Sequence, residues 1–193
     1  MSKEEGSIVS GAFWSQAPVV AITSKWGKEI NGQIAVTVVT SSVIHSIPRL
    51  IVGIWKGNYT HSFIYNSKKL CIHLLNEDQM ELVRNFGFYT GREVKKFQNI
   101  SYSSNLTGCP ILKECHSYAE CEVINAMDGG DMTPFLVNVI NGSINSHKRW
   151  MTLDYFYNNA PYNWIQQYNQ KLAKTVETSL PIIHNIKNDY WNP

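Results

Sequence analysis

The chain has 193 residues, of which 44% are hydrophobic and 12% aromatic, and this excludes an intrinsically disordered protein because so much apolar surface readily fills a core. Charged residues make up only 17% and the formal net charge is +2, which provides no electrostatic basis for binding nucleic acid. The low charged share also indicates that a partner subunit covers part of the surface.

The first elements that the pattern predicts are two antiparallel strands. Residues 18–24 and 33–40 are rich in β-branched side chains and are bounded by polar residues, which is typical of strands. The pair Asn31-Gly32 between them predicts a tight turn, since Asn-Gly favours positive φ. The two strands are therefore expected to form a hairpin.

A strand, a helix and a second strand are predicted in the middle of the chain. Pro48 is expected to introduce the strand over residues 49–55, because proline cannot donate to the middle of a ladder. Residues 60–69 predict a short helix with Thr60 as its N-cap. Residues 70–75 then predict the second strand.

The rest of the chain predicts one helix, two strands and a C-terminal extension. Asn76 is suited to cap a helix that ends at Gly87. Residues 117–127 alternate between apolar and polar side chains, and residues 132–141 predict a neighbouring strand across a Gly-rich turn. From about residue 163 the pattern is helical and then irregular.

These elements define a fold class that is mainly β with peripheral helices. Short connections between successive strands favour antiparallel pairing, and an antiparallel sheet of this size closes its edges best as a small β-barrel. The sequence has no internal repeat and no Pro/Gly linker. Residues 1–193 therefore predict one domain, with a helical or irregular extension from about residue 163.

The sequence predicts neither a membrane span nor a metal site. Its longest apolar runs are far shorter than the roughly 20 residues that cross a bilayer, and its N-terminus lacks the apolar core of a secretory signal. The cysteines form no C-x-x-C pair, and the six histidines have no ligand spacing. We therefore expect a cytoplasmic protein with four free thiols, at Cys71, Cys109, Cys115 and Cys121.

Two segments have the composition of a phosphate site, although the sequence contains no nucleophile motif, P-loop or dinucleotide fingerprint. Residues 55–60 place small and polar side chains where a strand meets a helix N-terminus. Residues 89–97 form a Gly-punctuated basic loop. Each segment alone is also typical of a plain capped helix or a solvated basic loop. A third polar segment, residues 37–42, lies on a predicted strand.

In their order along the chain, these segments resemble the flavin reductase-like family, whose members bind FMN in a split β-barrel. The resemblance runs from about Gly11 to about Trp164, and the order of the motifs makes it specific. The motifs include a Thr-His-x-x-Ile helix start and a G-[RK]-x-x-x-K-F loop. The matching segments are residues 19–24, 31–32, 37–42, 48–52, 60–64, 70–79, 91–97 and 130–135.

The resemblance implies a homodimer that holds FMN at its interface, with NADH or NADPH as the reductant and a small molecule or a protein as the electron acceptor. The residues that would line the isoalloxazine and the ribityl chain are Thr37, Val38, Val39, Thr40 and Ser42. Those that would follow the ribityl-phosphate are Trp55, Lys56, Asn58 and Thr60, and those that would complete the phosphate site are Gly91, Arg92, Lys95 and Lys96. No catalytic side chain is implied, because the flavin itself carries the redox chemistry.

Met132 departs from the family, which often has His at this position of its G-D-H-T-x-F motif. Met132 is expected to lie far from the phosphate segments. It is either a tolerated hydrophobic replacement on a strand or a sign that the protein does not use NAD(P)H efficiently. Two other functions therefore stay open: a non-catalytic FMN electron-transfer protein with a protein donor, and a pyridoxamine-phosphate-oxidase-like split barrel, which should show more basic phosphate ligands.

Overall fold

The computed structural model describes residues 3–186. The described helices are α1 (Lys3–Trp14), α2 (Tyr59–Ser67), α3 (Met80–Phe88), α4 (Leu153–Asn159) and α5 (Tyr162–Ser179). The described strands are β1 (Val20–Trp26), β2 (Glu29–Ala35), β3 (Val38–Thr40), β4 (Arg49–Trp55), β5 (Lys69–Leu74), β6 (Tyr102–Ser103), β7 (Ile111–Leu112), β8 (Ser117–Ala126) and β9 (Met132–Ile144). None of these helices is long and apolar enough to cross a membrane. The last part of the predicted C-terminal extension, beyond residue 186, lies outside the described residues.

Seven of the strands form one antiparallel sheet in the order β2-β1-β5-β8-β9-β4-β3. The sheet curls into a half-barrel, and a separate short pair is formed by β6 and β7. The predicted fold class, mainly β and antiparallel with peripheral helices, is therefore confirmed. Since β4 lies between β3 and β9, its C-terminal end brings the start of α2 next to the turn between β8 and β9.

Strand β1 is buried on both faces because an apolar cluster packs against each of them. Val20 and Ile22 belong to the cluster that the strands enclose. Val19, just before the strand, and Ala21 belong to a second cluster, which also includes side chains of α3, α4 and α5. The alternation follows the period of two of a β-strand, and burial on both faces explains why this segment is an almost continuous apolar run in the sequence.

The hairpin of β1 and β2 turns at a different place from the one that the sequence predicts. Gly27, with φ at +60°, makes the turn, whereas Asn31 and Gly32 lie within β2. Tertiary contacts fix both residues in the strand. The Asn31 amide donates to Oγ1 of Thr60 at 3.0 Å, and a Cβ on Gly32 would lie 2.5 Å from the ring of Phe86. The prediction of a turn at Asn31-Gly32 is therefore wrong.

The predicted returning strand over residues 33–40 is two strands. β2 ends at Ala35 and β3 begins at Val38, because β3 leaves the first partner and pairs with β4 at the opposite end of the sheet. Helix α2 also begins earlier than the sequence predicts. Its N-cap is Asn58, and Thr60 is a buried residue of its first turn.

Helix α3 begins later than the sequence predicts. Its N-cap is Gln79 rather than Asn76, which forms an isolated bridge with Trp150. The side-chain oxygen of Gln79 accepts from the backbone N–H of Asn76 at 2.8 Å, so Asn76 belongs to the turn before the helix. Gly87 lies within the last turn, and the helix ends one residue later, at Phe88.

Candidate functional site

A cleft of about 400 Å³ opens beside the N-terminus of α2. Its walls are the end of β4, the end of α3, the loop that follows α3 and helix α5. The volume is within the range of small-molecule and cofactor sites, about 300–1,000 Å³. Within residues 3–186, no group of three His, Cys, Asp or Glu side chains is arranged to hold a metal ion.

The floor of the cleft is built around the first turn of α2. The carbonyl of the N-cap residue Asn58 accepts from the N–H of His61 at 3.0 Å, whereas the N–H groups of Tyr59 and Thr60 before it have no helical partner. The hydroxyl of Thr60 accepts from Asn31, which leaves the Thr60 proton free to donate to a ligand. This end of a helix also carries the positive end of its dipole, which favours an anion.

Two glycines keep the cleft narrow at its edges. A Cβ on Gly57 would lie 2.2 Å from the indole of Trp55, so the ring packs directly on the Gly57 backbone. A Cβ on Gly91 would lie 2.2 Å from the side-chain oxygen of Asn31. Both positions require glycine because another backbone or side chain approaches closely.

Lys96 is the buried cation of the cleft. Only 6% of the residue is exposed, and its ammonium donates to the carbonyls of Gly32 and Phe86, both at 2.8 Å. These bonds tie β2 to the end of α3. Burial, together with the smaller effect of the charge of Lys171, lowers the pKa of Lys96 to about 7.

Arg92 and Lys171 add positive charge to the same cleft. The exposed guanidinium of Arg92 lies 4.7 Å from the ring centroid of Tyr59 and donates to the carbonyl of Gly57 at 3.3 Å. Lys171, on α5, donates to the carbonyl of Gly87, and burial lowers its pKa. Three cations therefore line the cleft together with one carboxylate, that of Glu93.

Gln33 contributes an unsatisfied polar atom. Its side chain is buried and lines the cleft, and its Oε1 has no hydrogen-bond partner among the described residues. An unpaired buried amide oxygen costs about 1–3 kcal/mol. A ligand that donates a hydroxyl or an N–H to Gln33 would recover this free energy.

Six of the thirteen site residues predicted from the sequence line the cleft, and seven lie elsewhere. Those that line it are Trp55, Asn58, Thr60, Gly91, Arg92 and Lys96. The seven that do not are Thr37, Val38, Val39, Thr40, Ser42, Lys56 and Lys95. The first five of these lie on β3 and the segment around it.

Lys56 and Lys95 have surroundings that the sequence does not reveal. The ammonium of Lys56 donates to the carboxylate of Asp128 and the carbonyl of Gly130, so it fastens the turn between β8 and β9. Lys95 is exposed and lines a neighbouring groove instead of the cleft. Thus only one of the two adjacent lysines, Lys96, points inward.

The residues that sequence reasoning missed include Gln33 and a set on α5. Gln33 is a polar residue among the buried positions of β2, which is the one local signal available for it. The set on α5 recurs with helical spacing, but nothing in the sequence indicates which element that face meets. Its members are Tyr168, Lys171, Leu172 and Thr175.

Met132 lies closer to the site than the sequence predicts. In the ladder between β4 and β9 it is paired with Trp55, which lines the cleft. Its terminal methyl lies 3.2 Å from the place that a Cβ on Gly53 would occupy. The expected separation of Met132 from the segment over residues 55–60 is therefore wrong, because β9 neighbours β4 in the sheet.

The fold and the cleft together define a class of protein: an antiparallel half-barrel with a cationic ligand site at a helix N-terminus. The chain belongs to the flavin reductase like domain family, whose model matches residues 15–165. The family that the motifs resemble is thereby confirmed.

Similarity to characterised proteins extends over most of this region. The chain is 33% identical over 138 residues to a high molecular weight rubredoxin from Moorella thermoacetica, which covers 70% of this chain and 59% of the relative. It is 30% identical over 128 residues to a ferric-chelate reductase (NAD(P)H) from Archaeoglobus fulgidus, covering 64% of this chain and 73% of the relative. The chain thus spans less than two thirds of the length of the first of these relatives.

A solved structure shares the fold. An FMN-binding protein from Thermus thermophilus, crystallised with p-hydroxybenzaldehyde, superposes with a TM-score of 0.63 at 23% identity. The superposition covers 67% of this chain and 72% of that protein. At this level of identity the comparison establishes the half-barrel architecture.

Proposed function

We propose that the protein is an FMN-dependent oxidoreductase of the flavin reductase type, which passes electrons from NADH or NADPH through the flavin to an acceptor. The observation that carries this proposal is the cationic cleft at the N-terminus of α2, with the unsatisfied Gln33 oxygen on its wall. Membership of the flavin reductase family and the similarity to a ferric-chelate reductase support it.

The cleft residues fit FMN. Lys96, Arg92 and the first turn of α2 offer cationic and N–H donors to a phosphate dianion. Gln33 offers an acceptor that a ribityl hydroxyl would satisfy. Glycine at positions 57 and 91 lets the side chains of Trp55 and Asn31 pack directly against the backbone at the edges of the cleft.

The proposed reaction needs no acid–base or nucleophilic side chain from the protein. FMN, when bound, supplies the hydride acceptance and electron donation of the reaction. The residues of the chain then need only bind the cofactor, orient it and exclude water. Trp55, packed on Gly57 at the rim, is suited to cover one side of the bound group.

The direct test uses the full chain, purified and reconstituted with FMN. Addition of NADH or NADPH without oxygen should bleach the flavin absorbance rapidly. Bleaching by dithionite alone would instead identify a non-catalytic electron-transfer protein with another donor. A chain that binds pyridoxine phosphates and no flavin would overturn the flavin assignment.

Phosphate recognition can be tested by charge removal at the rim. Arg92→Gln should weaken FMN about tenfold and riboflavin much less, since one charge-assisted hydrogen bond contributes about 1.5–3 kcal/mol. Lys95→Gln removes a positive charge from an exposed position in the same loop. It should weaken FMN less, because the Lys95 side chain lies outside the cleft. Equal weakening of FMN and riboflavin by Arg92→Gln would indicate a structural role.

A homodimer is part of the proposal. The segment over residues 39–47, which overlaps the predicted flavin-ring residues, carries apolar side chains in solvent: Val43 is 91% exposed, and Val39, Ile44 and Ile47 are each more than half exposed. An exposed apolar stretch of this kind supports a subunit contact there. Thr37, Val38, Thr40 and Ser42 would then reach the cofactor at the contact between two copies.

Sedimentation at micromolar concentration tests the homodimer, with twice the chain mass as the expected result. Val43→Glu should shift the equilibrium toward the monomer, because the interface would have to bury a charge. A flavin-bound monomer in the unaltered protein would contradict the dimer.

A cytoplasmic location is also proposed. All four cysteines are free and buried, and Cys71 and Cys121 have pKa values that burial raises, the latter to about 12. Buried thiols of this kind suit a reducing compartment. Titration of the denatured protein from cytoplasmic extract should find four reactive thiols, and a disulfide would count against this location.

A further inference from the structure

Helix α5 supplies one wall of the cleft. The residues that line it are Tyr168, Lys171, Leu172 and Thr175. Their spacing of three and four places them on one face of the helix. Ser179, one turn further along, accepts a hydrogen bond from Nε1 of Trp55 at 2.9 Å. The match to the family model ends at residue 165, so this wall lies beyond the matched domain.

Lys171 is the cation of this wall. Its ammonium donates to the carbonyl of Gly87, next to the Phe86 carbonyl that accepts from Lys96. The two lysines therefore meet consecutive carbonyls at the C-terminal end of α3. An ammonium has three N–H donors, and the carbonyl of Gly87 uses one of them. Lys171 thus has donors left for a ligand in the cleft that it lines.

Lys96 and Lys171 are two partly desolvated cations that form no ion pair with a carboxylate of the described residues. The charge of Lys171 acts on Lys96 and lowers its pKa. Within residues 3–186, neither ammonium lies within 4.0 Å of an Asp or Glu oxygen. Two like charges in a half-buried site are unfavourable unless an anion compensates them. A ligand anion in the shared cleft supplies that compensation.

We propose that Lys171 contacts a phosphate monoester in the cleft and that α5 thereby selects phosphorylated flavin over riboflavin. This inference rests on the proposed function, and it assigns a recognition residue on an element separate from the loop over residues 91–96. The phosphate would then be held from two sides, by the loop and by α5.

The competing explanation is purely structural. A lysine that bonds the last carbonyls of α3 stabilises the negative end of that helix dipole. In that case Lys171 would affect the fold and would weaken every flavin to the same extent. Binding selectivity separates the two explanations, whereas stability alone does not.

The experiment titrates flavin-free full-length protein with FMN and with riboflavin, following flavin fluorescence. Lys171→Gln should raise the Kd for FMN about tenfold, the value of one charge-assisted hydrogen bond, and leave the Kd for riboflavin unchanged. Lys174→Gln is the matched control, since it removes the same charge from an exposed position on the same helix. It should change neither Kd. Equal effects of Lys171→Gln on both flavins, or no effect, would overturn the inference.

A second measurement guards against a variant that folds poorly. Lys171→Arg keeps the charge and should retain the preference for FMN. The ³¹P resonance of bound FMN should shift in Lys171→Gln and stay in place in Lys174→Gln, because only a direct contact changes the surroundings of the phosphorus. An unshifted resonance in Lys171→Gln would contradict the contact.

Three further outcomes have distinct meanings. Unaltered protein that binds neither flavin would overturn the proposed function itself. FMN binding that is independent of Lys171 would overturn the inference and leave the function in place. NADPH also carries a phosphate monoester, so NADPH and NADH are titrated in parallel. Selective weakening of NADPH in Lys171→Gln, with FMN unchanged, would overturn the assignment to flavin.

Discussion

The indole N–H of Trp55 donates to the hydroxyl of Ser179 at 2.9 Å, a contact that joins residues 124 positions apart. Trp55 ends β4 at the rim of the cleft, and Ser179 is the last residue of α5. The bond therefore fastens the C-terminal end of α5 to the sheet. Because the rest of that helix face lines the cleft, the position of Trp55 and the width of the cleft are linked.

Loss of this bond should destabilise the protein and free the end of α5. Ser179→Ala leaves the indole N–H without its partner, and we expect a fall of about 1 kcal/mol in the free energy of unfolding. Urea denaturation measures this change. Hydrogen exchange should also become faster in the last two turns of α5, where local opening no longer breaks the bond.

Thr178→Ala is the matched control for that variant. The Thr178 side chain is exposed and bonds only to carbonyls of its own helix, those of Lys174 and Thr175. Removal of the Thr178 hydroxyl should lower the free energy of unfolding by less than removal of the Ser179 hydroxyl does. Identical changes in both variants would mean that the contact with Trp55 contributes nothing.

FMN binding should be coupled to proton uptake at Lys96. Burial lowers the pKa of Lys96 to about 7, so at pH 8 much of this amine is neutral in the flavin-free protein. A phosphate dianion in the cleft favours the ammonium form and raises that pKa. The phosphate itself is already a dianion at pH 8, since its second pKa is about 6. Binding therefore takes up protons, and FMN affinity falls as the pH rises above 7.

Calorimetry at pH 8 in buffers of different ionisation enthalpy measures the uptake. The unaltered protein should take up a fraction of a proton with FMN and none with riboflavin. Lys96→Met should take up none with either flavin. Uptake that survives in Lys96→Met would assign the proton to another group.

The strands were predicted well from the sequence wherever the local pattern agrees with the burial that the fold imposes. Strands β4, β5, β8 and β9 were visible from alternation and from Pro48, since local pattern and tertiary burial agree there. The prediction of a turn at Asn31-Gly32 is wrong because contacts with Thr60 and Phe86, which are distant in sequence, hold that pair in β2. Tertiary contacts override a local turn preference of this kind.

The site was predictable only in its contiguous parts. Asn58, Thr60 and Gly91 belong to motifs that lie together along the chain, and each lines the cleft. The choice between Lys95 and Lys96 depends on the conformation of the loop, which composition does not determine. Lys171 depends on where α5 packs, and no short motif encodes the docking of a helix.

Stability should fall in mild acid because His73 is buried and neutral. Its Nδ1–H donates to the carbonyl of Ala21 at 3.1 Å, and its Nε2 accepts from the N–H of Leu112 at 3.1 Å. Burial lowers the pKa of His73 from 6.5 to about 4. Between these values the unfolded chain binds a proton that the folded protein does not, so the stability present above pH 6.5 is lost as the pH falls toward 4.

The difference between the two pKa values corresponds to about 3 kcal/mol. Unfolding by urea at several values from pH 7 to pH 4 measures it. His73→Asn keeps a donor for the Ala21 carbonyl and does not titrate, so its stability should depend less on pH over this range. Parallel curves for the two proteins would assign the acid sensitivity to other groups, such as the buried carboxylate of Glu120. Burial raises the pKa of Glu120, but hydrogen bonds from Asn141 and Thr107 outweigh it, so the pKa is lowered.

Replacement of Met132 tests how the protein receives electrons. Met132 is paired with Trp55 across β4 and β9, so it lies next to a cleft residue but does not itself line the cleft. A thioether offers neither the N–H donor nor the ionisable group of the histidine that the family motif often carries. We expect normal FMN affinity in the unaltered protein and slow reduction of the flavin by NADH and NADPH.

Met132→His should accelerate that reduction about tenfold, the value of one hydrogen bond made in the transition state. Stopped-flow absorbance without oxygen measures the rate, and fluorescence titration checks that FMN affinity is unchanged. Met127→His is the control. Met127 is exposed in the turn between β8 and β9, and its replacement should leave the rate unchanged. Fast reduction of the unaltered protein, with no gain in Met132→His, would show that the side chain at this position only packs beside Gly53.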